Sequence, residues 1–146
     1  MKKPGFLCLI TIGILGVMFA VSYSWAQSGR RLHYSTLFNP KAVGTVSGEV
    51  VRVEQTFAGN GADYCIHALL KTPQGQVTAI LAPKGYMAEH GLAIDRQDRV
   101  TVTGSRISIL NKPFILAMEV TGDRTMHLRE ANGRPAWAVG DDWHVH

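Results

Sequence analysis

The sequence predicts an all-β domain, a five-stranded OB-like barrel with one short helix, preceded by a single N-terminal transmembrane helix. Three observations carry that prediction. An uncharged run over residues 4–29 lies between Lys2 and Lys3 on one side and Arg30 and Arg31 on the other. Beyond it, apolar and polar residues alternate with the period of a strand in five separate stretches. A helical period interrupts the alternation once, between the third and fourth stretches, where an OB barrel carries the helix that plugs one end.

The chain divides accordingly. Residues 1–31 read as a membrane anchor or uncleaved signal, 32–42 as a tether, 43–139 as the OB-like β domain and 140–146 as a polar His/Asp tail. In the first segment the apolar stretch over residues 6–21 is extended by Tyr23 and Trp25, which suit interfacial depth, and this length favours a retained anchor. Ser24 and Ala26 are small residues spaced as at a signal-peptidase site, so cleavage before Gln27 is the alternative. The N-terminal lysines and a single span direct the domain away from the cytoplasm. The tether has no clear period and contains Asn39-Pro40.

In the first strand Val46, Gly48 and Val50 alternate with polar residues, and then Val51 and Val53 take over the apolar phase. That slip predicts a β-bulge near Val50-Val51, which with a nearby glycine lets the strand bend. After the Gly59-Asn60-Gly61 turn, the second strand over residues 64–71 puts Cys65, His67 and Leu69 on one face and Tyr64, Ile66, Ala68 and Leu70 on the other. Pro73-Gln74-Gly75 turns the chain into a third strand over residues 77–81, ended by Pro83. Residues 85–92 change to a helical period with Tyr86, Met87 and His90 on one side and Gly91 as the C-terminal cap. A fourth strand holds Val100, Val102 and Gly104 in phase, and a fifth holds Phe114, Leu116, Met118 and Val120. Residues 126–137 read as a hairpin turning at Asn132-Gly133-Arg134-Pro135, placed to extend or cover a barrel edge.

Charge and cysteine content narrow the function. The chain carries 15 basic and 11 acidic residues with a pI near 9.3. Lys2 and Lys3 precede the span, so the exported part has a net charge of about +2 and no basic stripe, which argues against a nucleic-acid partner. Cys8 lies within the span and Cys65 beyond it, so the exported part forms no internal disulfide. No glycine-flanked nucleophile, phosphate-cradling loop, HExxH or CxxC is present, and Cys65 with His67 lacks a third group to orient the imidazole. The reading is a non-enzymatic module with no catalytic residues.

Two patterns are candidates for metal. In the tail, Asp141, Asp142, His144 and His146 fall within six residues, and two carboxylates with two imidazoles suit a divalent ion such as iron, zinc or copper. Cys65, His67, Met87 and His90 form the alternative set, suited to a softer ion such as Cu(I) if strand and helix face each other. Neither pattern makes a cofactor certain. CxxCH is absent, so covalent c-type haem is not supported.

The runs Val46-Ser47-Gly48-Glu49-Val50 and Asp98-Arg99-Val100-Thr101-Val102-Thr103-Gly104-Ser105, with Leu128-Arg129 followed by Gly133-Arg134-Pro135-Ala136-Trp137, resemble the MamS/MamX magnetosome proteins. The likeness covers roughly residues 39–139 and the anchor layout, and the missing CxxCH moves it towards the MamS branch. The resemblance implies a single-pass protein of the bacterial inner or magnetosome membrane, its C-terminal domain in the periplasm or magnetosome lumen. It further implies a role in biomineralisation, modulating magnetite crystal growth and size alongside other magnetosome membrane proteins. A periplasmic metal- or haem-handling binding protein is the alternative. The anchor layout is also similar to that of the haem chaperone of cytochrome c maturation, whose histidine motif is not found here.

Overall fold

The computed structural model describes residues 34–57 and 64–139. The predicted span in residues 1–31 and the tail 140–146 therefore lie outside the described residues. Among those described, no helix is long and apolar enough to cross a membrane. Two short 3-10 turns, Tyr34–Leu37 and Pro40–Ala42, lead into β1 (Val43–Phe57), followed by β2 (Tyr64–Thr72), β3 (Gly75–Pro83), α1 (Lys84–Glu89), β4 (Arg99–Ile109), β5 (Lys112–Thr121) and β6 (Thr125–His127).

Strands β1 to β5 close into the five-stranded barrel expected, with the short helix between β3 and β4. Antiparallel pairings run in the order β3-β2-β1-β4-β5, and a parallel pairing of β3 with β5, from Thr78↔Phe114 to Ile80↔Leu116, seals the barrel. One long strand serves both halves. The first part of β1 pairs with β4 through Val43↔Ser105 to Glu49↔Arg99, and the second part pairs with β2 through Glu49↔Lys71 to Phe57↔Tyr64. The register slips between Val50 and Arg52, where the change of apolar phase predicts a bulge. An extra residue there bends the strand and increases its twist. At this pivot the Val50 N–H donates to the Asp98 carbonyl at 2.8 Å and the Gln97 N–H donates to the Val50 carbonyl at 2.7 Å. Gly104 lies at a second slip, between β4 and β5, and a β-carbon on it would run into the Leu116 carbonyl.

Inside the barrel the alternation is read out as burial. Ala68 and Leu70 of β2, Ala79 and Leu81 of β3, Val102 of β4, and Ile115, Ala117 and Val120 of β5 pack with Val50 into one core, each no more than 1% exposed. Helix α1 adds Met87 to this core. Its C-terminus closes with the Leu92 N–H donating to Met87 O and the Gly91 N–H to Ala88 O, the paired bonds of a Schellman cap.

Two departures from the sequence reading matter for the site. The β5 residues Phe114 and Leu116 share a phase with Val120, yet Leu116 joins a separate cluster with Cys65 and Ile80 outside the barrel. An apolar residue satisfies alternation on either face when both faces are covered. The cover is the segment read as a tether: Tyr34 and Phe38 lie against Cys65, Ile80 and Leu116, with Ile107, Ile109 and Phe114 completing the cluster. The C-terminal hairpin is also reduced. Thr125–His127 pairs with β5 as a sixth strand, and Arg129↔Pro135 is a lone bridge stabilised by Glu130 N–H to Arg134 O and Ala136 N–H to Leu128 O, both 2.9 Å.

Candidate functional site: the covered outer face of the barrel

The parallel seam of β3 and β5 ends at Ile80↔Leu116, leaving carbonyls beyond it without a neighbouring strand of the pair. Arg129, the second residue after β6, reaches this point. Its Nη1 donates to the Leu81 carbonyl at 2.9 Å and to the Ala117 carbonyl, with a longer bond of 3.5 Å to Ile80 O. The guanidinium carbon sits 4.9 Å from the centre of the Trp137 ring, within cation–π range. Among the described residues no carboxylate pairs with Arg129. Burial pulls its pKa down to about 10, opposed by the nearby Cys65 and Tyr34, so it remains charged at neutral pH. Carbonyl dipoles and the face of an indole carry that charge in place of an anion.

The neighbouring positions follow from this staple. Leu128, beside it, is fully buried in the barrel core, and Trp137 packs on the same core and lies 5.3 Å from the Tyr86 ring of α1. Gly133 is buried, with φ at +88°. A β-carbon there would stand 2.5 Å from Cγ of Phe38, so the absence of a side chain makes the seat for that ring. Leu-Arg-Glu followed by Gly-Arg-Pro-Ala-Trp is thus a structural signature. It fastens the seam and positions the outer cluster.

On the same face, the Tyr34 hydroxyl and Nε2 of His67 are joined by a 3.2 Å hydrogen bond, their rings edge to face with centres 5.7 Å apart. Burial pushes the His67 pKa below its ordinary value, Glu54 partly offsetting this and Arg129 adding to it. Burial likewise raises the Tyr34 pKa, reinforced by Cys65 and opposed by Arg129. Tyr34 of the covering segment and Cys65, His67 and Arg129 of the domain beneath it therefore form one electrostatically coupled group.

The softer-ion set expected from the sequence does not assemble. Cys65 and His67 share the outer face, but Met87 belongs to the barrel core. His90 is exposed at the end of α1, its ring 4.1 Å from that of Tyr86 and its Nδ1 2.9 Å from Tyr86 O. Among the described residues no three His, Cys, Asp or Glu side chains are placed to hold a metal ion. Asp141, Asp142, His144 and His146 lie outside the described residues. Sequence reasoning missed Tyr34, in a segment without periodicity, and the role of Arg129, whose motif is visible but whose burial is not.

A family profile matches residues 42–126, from the end of the second 3-10 turn through all five barrel strands. The chain belongs to the MamS/MamX magnetosome protein family. No curated protein matches it. The match with the MamS/MamX family stops short of Leu128 and Arg129 and begins after Tyr34 and Phe38. The barrel is thus the part shared with the family profile, while the covering residues Tyr34 and Phe38 and the staple at Leu128 and Arg129 flank the match.

Proposed function

We propose that the protein is a membrane-anchored, non-enzymatic module of magnetosome biomineralisation, modulating magnetite crystal growth and size through other magnetosome membrane proteins. The observation that carries this reading is the MamS/MamX match across the whole barrel. Support also comes from the chemistry of the covered face. Its thiol and imidazole are buried beneath the N-terminal segment, and its guanidinium is held by carbonyls and an indole, an arrangement suited to packing. The uncharged run of residues 4–29 supports a single span, which would confine the domain to the periplasmic or lumenal surface of the membrane. One span forms no ion pathway, so the role assigned is modulation and not transport.

The test is a clean deletion in the source bacterium with crystals measured by electron microscopy. Smaller or disordered magnetite, with vesicles still formed and cellular iron unchanged, is the expected outcome. Re-expression of an exported form without residues 1–31 should rescue poorly. Crystals of wild-type size and order in the deletion strain would overturn the proposal and promote a metal- or haem-handling role.

A further inference from the structure

Across β1, β4, β5 and β6 the strand registers align one residue per strand into rows. Val46, Val102, Val120 and Met126 form one such row and pack on the barrel core. Side chains alternate along a strand, so the rows on either side of it face outward. One is Ser47, Thr101, Thr121 and Thr125, and the other is Thr45, Thr103, Glu119 and His127. All eight residues are exposed or half-exposed, six carry a hydroxyl, and none is aliphatic, lysine or arginine. A face that only meets water mixes charges of both signs, and an edge strand such as β6 is commonly guarded by lysine. We propose that this face adsorbs to a hydroxylated iron-oxide surface, the hydroxyl rows hydrogen-bonding to surface oxygens and Glu119 offering its carboxylate to surface iron. The inference rests on the biomineralisation role and adds to it a direct contact with the crystal.

The array is held in place by its own cross-strand bonds. Oγ1 of Thr45 and of Thr103 lie 2.9 Å apart, Ser47 Oγ and Thr101 Oγ1 2.8 Å, and Oγ1 of Thr121 and of Thr125 3.0 Å. In the second row Nδ1 of His127 meets Oε2 of Glu119 at 3.1 Å. Each hydroxyl pair spends a single O–H in its internal bond, so a second O–H and several lone pairs stay available to point outward. Fixed rotamers leave little side-chain freedom to lose on adsorption. Sheet geometry sets the spacing at about 4.8 Å across the strands and about 7 Å along them, a patch of roughly 14 Å by 7 Å. A hydroxylated oxide offers donors, acceptors and metal ions over such an area without needing a pocket. Other partners fit less well. A protein interface is built on buried tyrosine, tryptophan or arginine anchors, a stacked base needs an aromatic platform, and phosphates need cations. The two rows supply none of these, and the neighbouring row sets Glu49 against Arg99, opposite charges in register.

The experiment measures adsorption isotherms of the full chain in nanodiscs on magnetite nanoparticles, read as depletion from the supernatant, with empty nanodiscs as the blank and silica particles of the same size for comparison. Thr101→Val with Thr121→Val keeps the β-branched shape and removes the two central hydroxyls of one row. This variant, checked for an intact thermal transition, should raise the half-saturating concentration on magnetite by about tenfold or more, because several hydrogen bonds are lost together. Thr101→Ser with Thr121→Ser restores the hydroxyls and should adsorb within about threefold of the wild type. Ser108→Ala, a hydroxyl lost from β4 outside the rows, should leave the isotherm unchanged. Should the valine variant unfold, Ser47→Ala with Thr125→Val, at the exposed ends of the same row, provides the reading. Synthetic mineral makes the assay independent of the deletion phenotype, so this inference can fail while the biological role stands. Adsorption of the folded valine variant like that of the wild type, a serine variant as weak as the valine one, or equal affinity for silica would overturn the proposal.

Discussion

Substituting Gly133 by alanine probes the contact between the two chain segments that flank the barrel. The added β-carbon would stand 2.5, 2.7 and 2.9 Å from Cγ, Cδ1 and Cβ of Phe38, closer than carbon atoms pack. It would also occupy a backbone with φ at +88°, where a β-carbon costs about 1–2 kcal/mol. Relief of the overlap requires the Phe38 ring or the 130–135 loop to move, adding ~1–3 kcal/mol as in other overpacked sites. The expected loss is therefore about 2–5 kcal/mol, which for a domain of this size lowers the melting temperature by roughly 4–8 °C per kcal/mol. The two contributions separate in a double-mutant cycle. With Phe38→Ala already present the overlap is gone, and Gly133→Ala should cost only its backbone share of about 1–2 kcal/mol. Urea unfolding of the full chain and the three variants measures all four corners. An equal cost in both backgrounds, or a single-variant loss below about 1 kcal/mol, would refute the seat assigned to Phe38.

Leu128→Ala should destabilise by about 2–5 kcal/mol, because the side chain is fully buried in the barrel core, and a loss below ~1 kcal/mol in urea unfolding would contradict its place there. For His67, burial sets the folded pKa below the ordinary 6.5, so the unfolded chain takes up the proton first as pH falls. Stability should consequently be fully present above pH 6.5 and decline as pH drops from there towards the folded value, and His67→Gln should flatten this part of the profile. Unchanged pH dependence in that variant would remove His67 as the cause. A chelator should leave the cooperative melt of the domain unaltered, since apolar burial supplies the core, and a large fall in melting temperature would reveal a structural metal. Weak divalent-ion binding, measured by calorimetry, should disappear on deletion of residues 141–146 while the melt is kept; binding that persists would place the site elsewhere in the chain.

The parts of the fold legible in the sequence are those set by local periodicity and local backbone chemistry. The slip from Val50 to Val51 and Val53 marks the β1 bulge, because a change of apolar phase within one strand has few other causes. Ile66, Ala68 and Leu70 face the core as their alternation requires, and Gly91 closes α1 as a C-terminal glycine does. The family resemblance rests on strand runs of the same kind together with Leu128-Arg129 and Gly133 to Trp137; the profile match over residues 42–126 agrees with the family and covers the strand runs, ending before that last segment.

The covered face was not legible. Period two tells which residues share a face of a strand, but it cannot tell whether the outer face meets water or another segment of the chain. Leu116 and Ile80 are apolar on the outside because residues 34–38 return to cover them, from positions remote in sequence and without a repeat of their own. The same limit applies to Arg129. Its sequence neighbours advertise an exposed turn, whereas its carbonyl partners at Ile80, Leu81 and Ala117 come together only where the closed barrel lets β3 and β5 diverge. Strand periods, the bulge and the helix cap were written in consecutive residues, since each depends on backbone geometry within a few positions. The buried group of Tyr34, Cys65, His67 and Arg129 was decided by tertiary closure, since burial and hydrogen bonding there depend on segments that meet only after the barrel has formed.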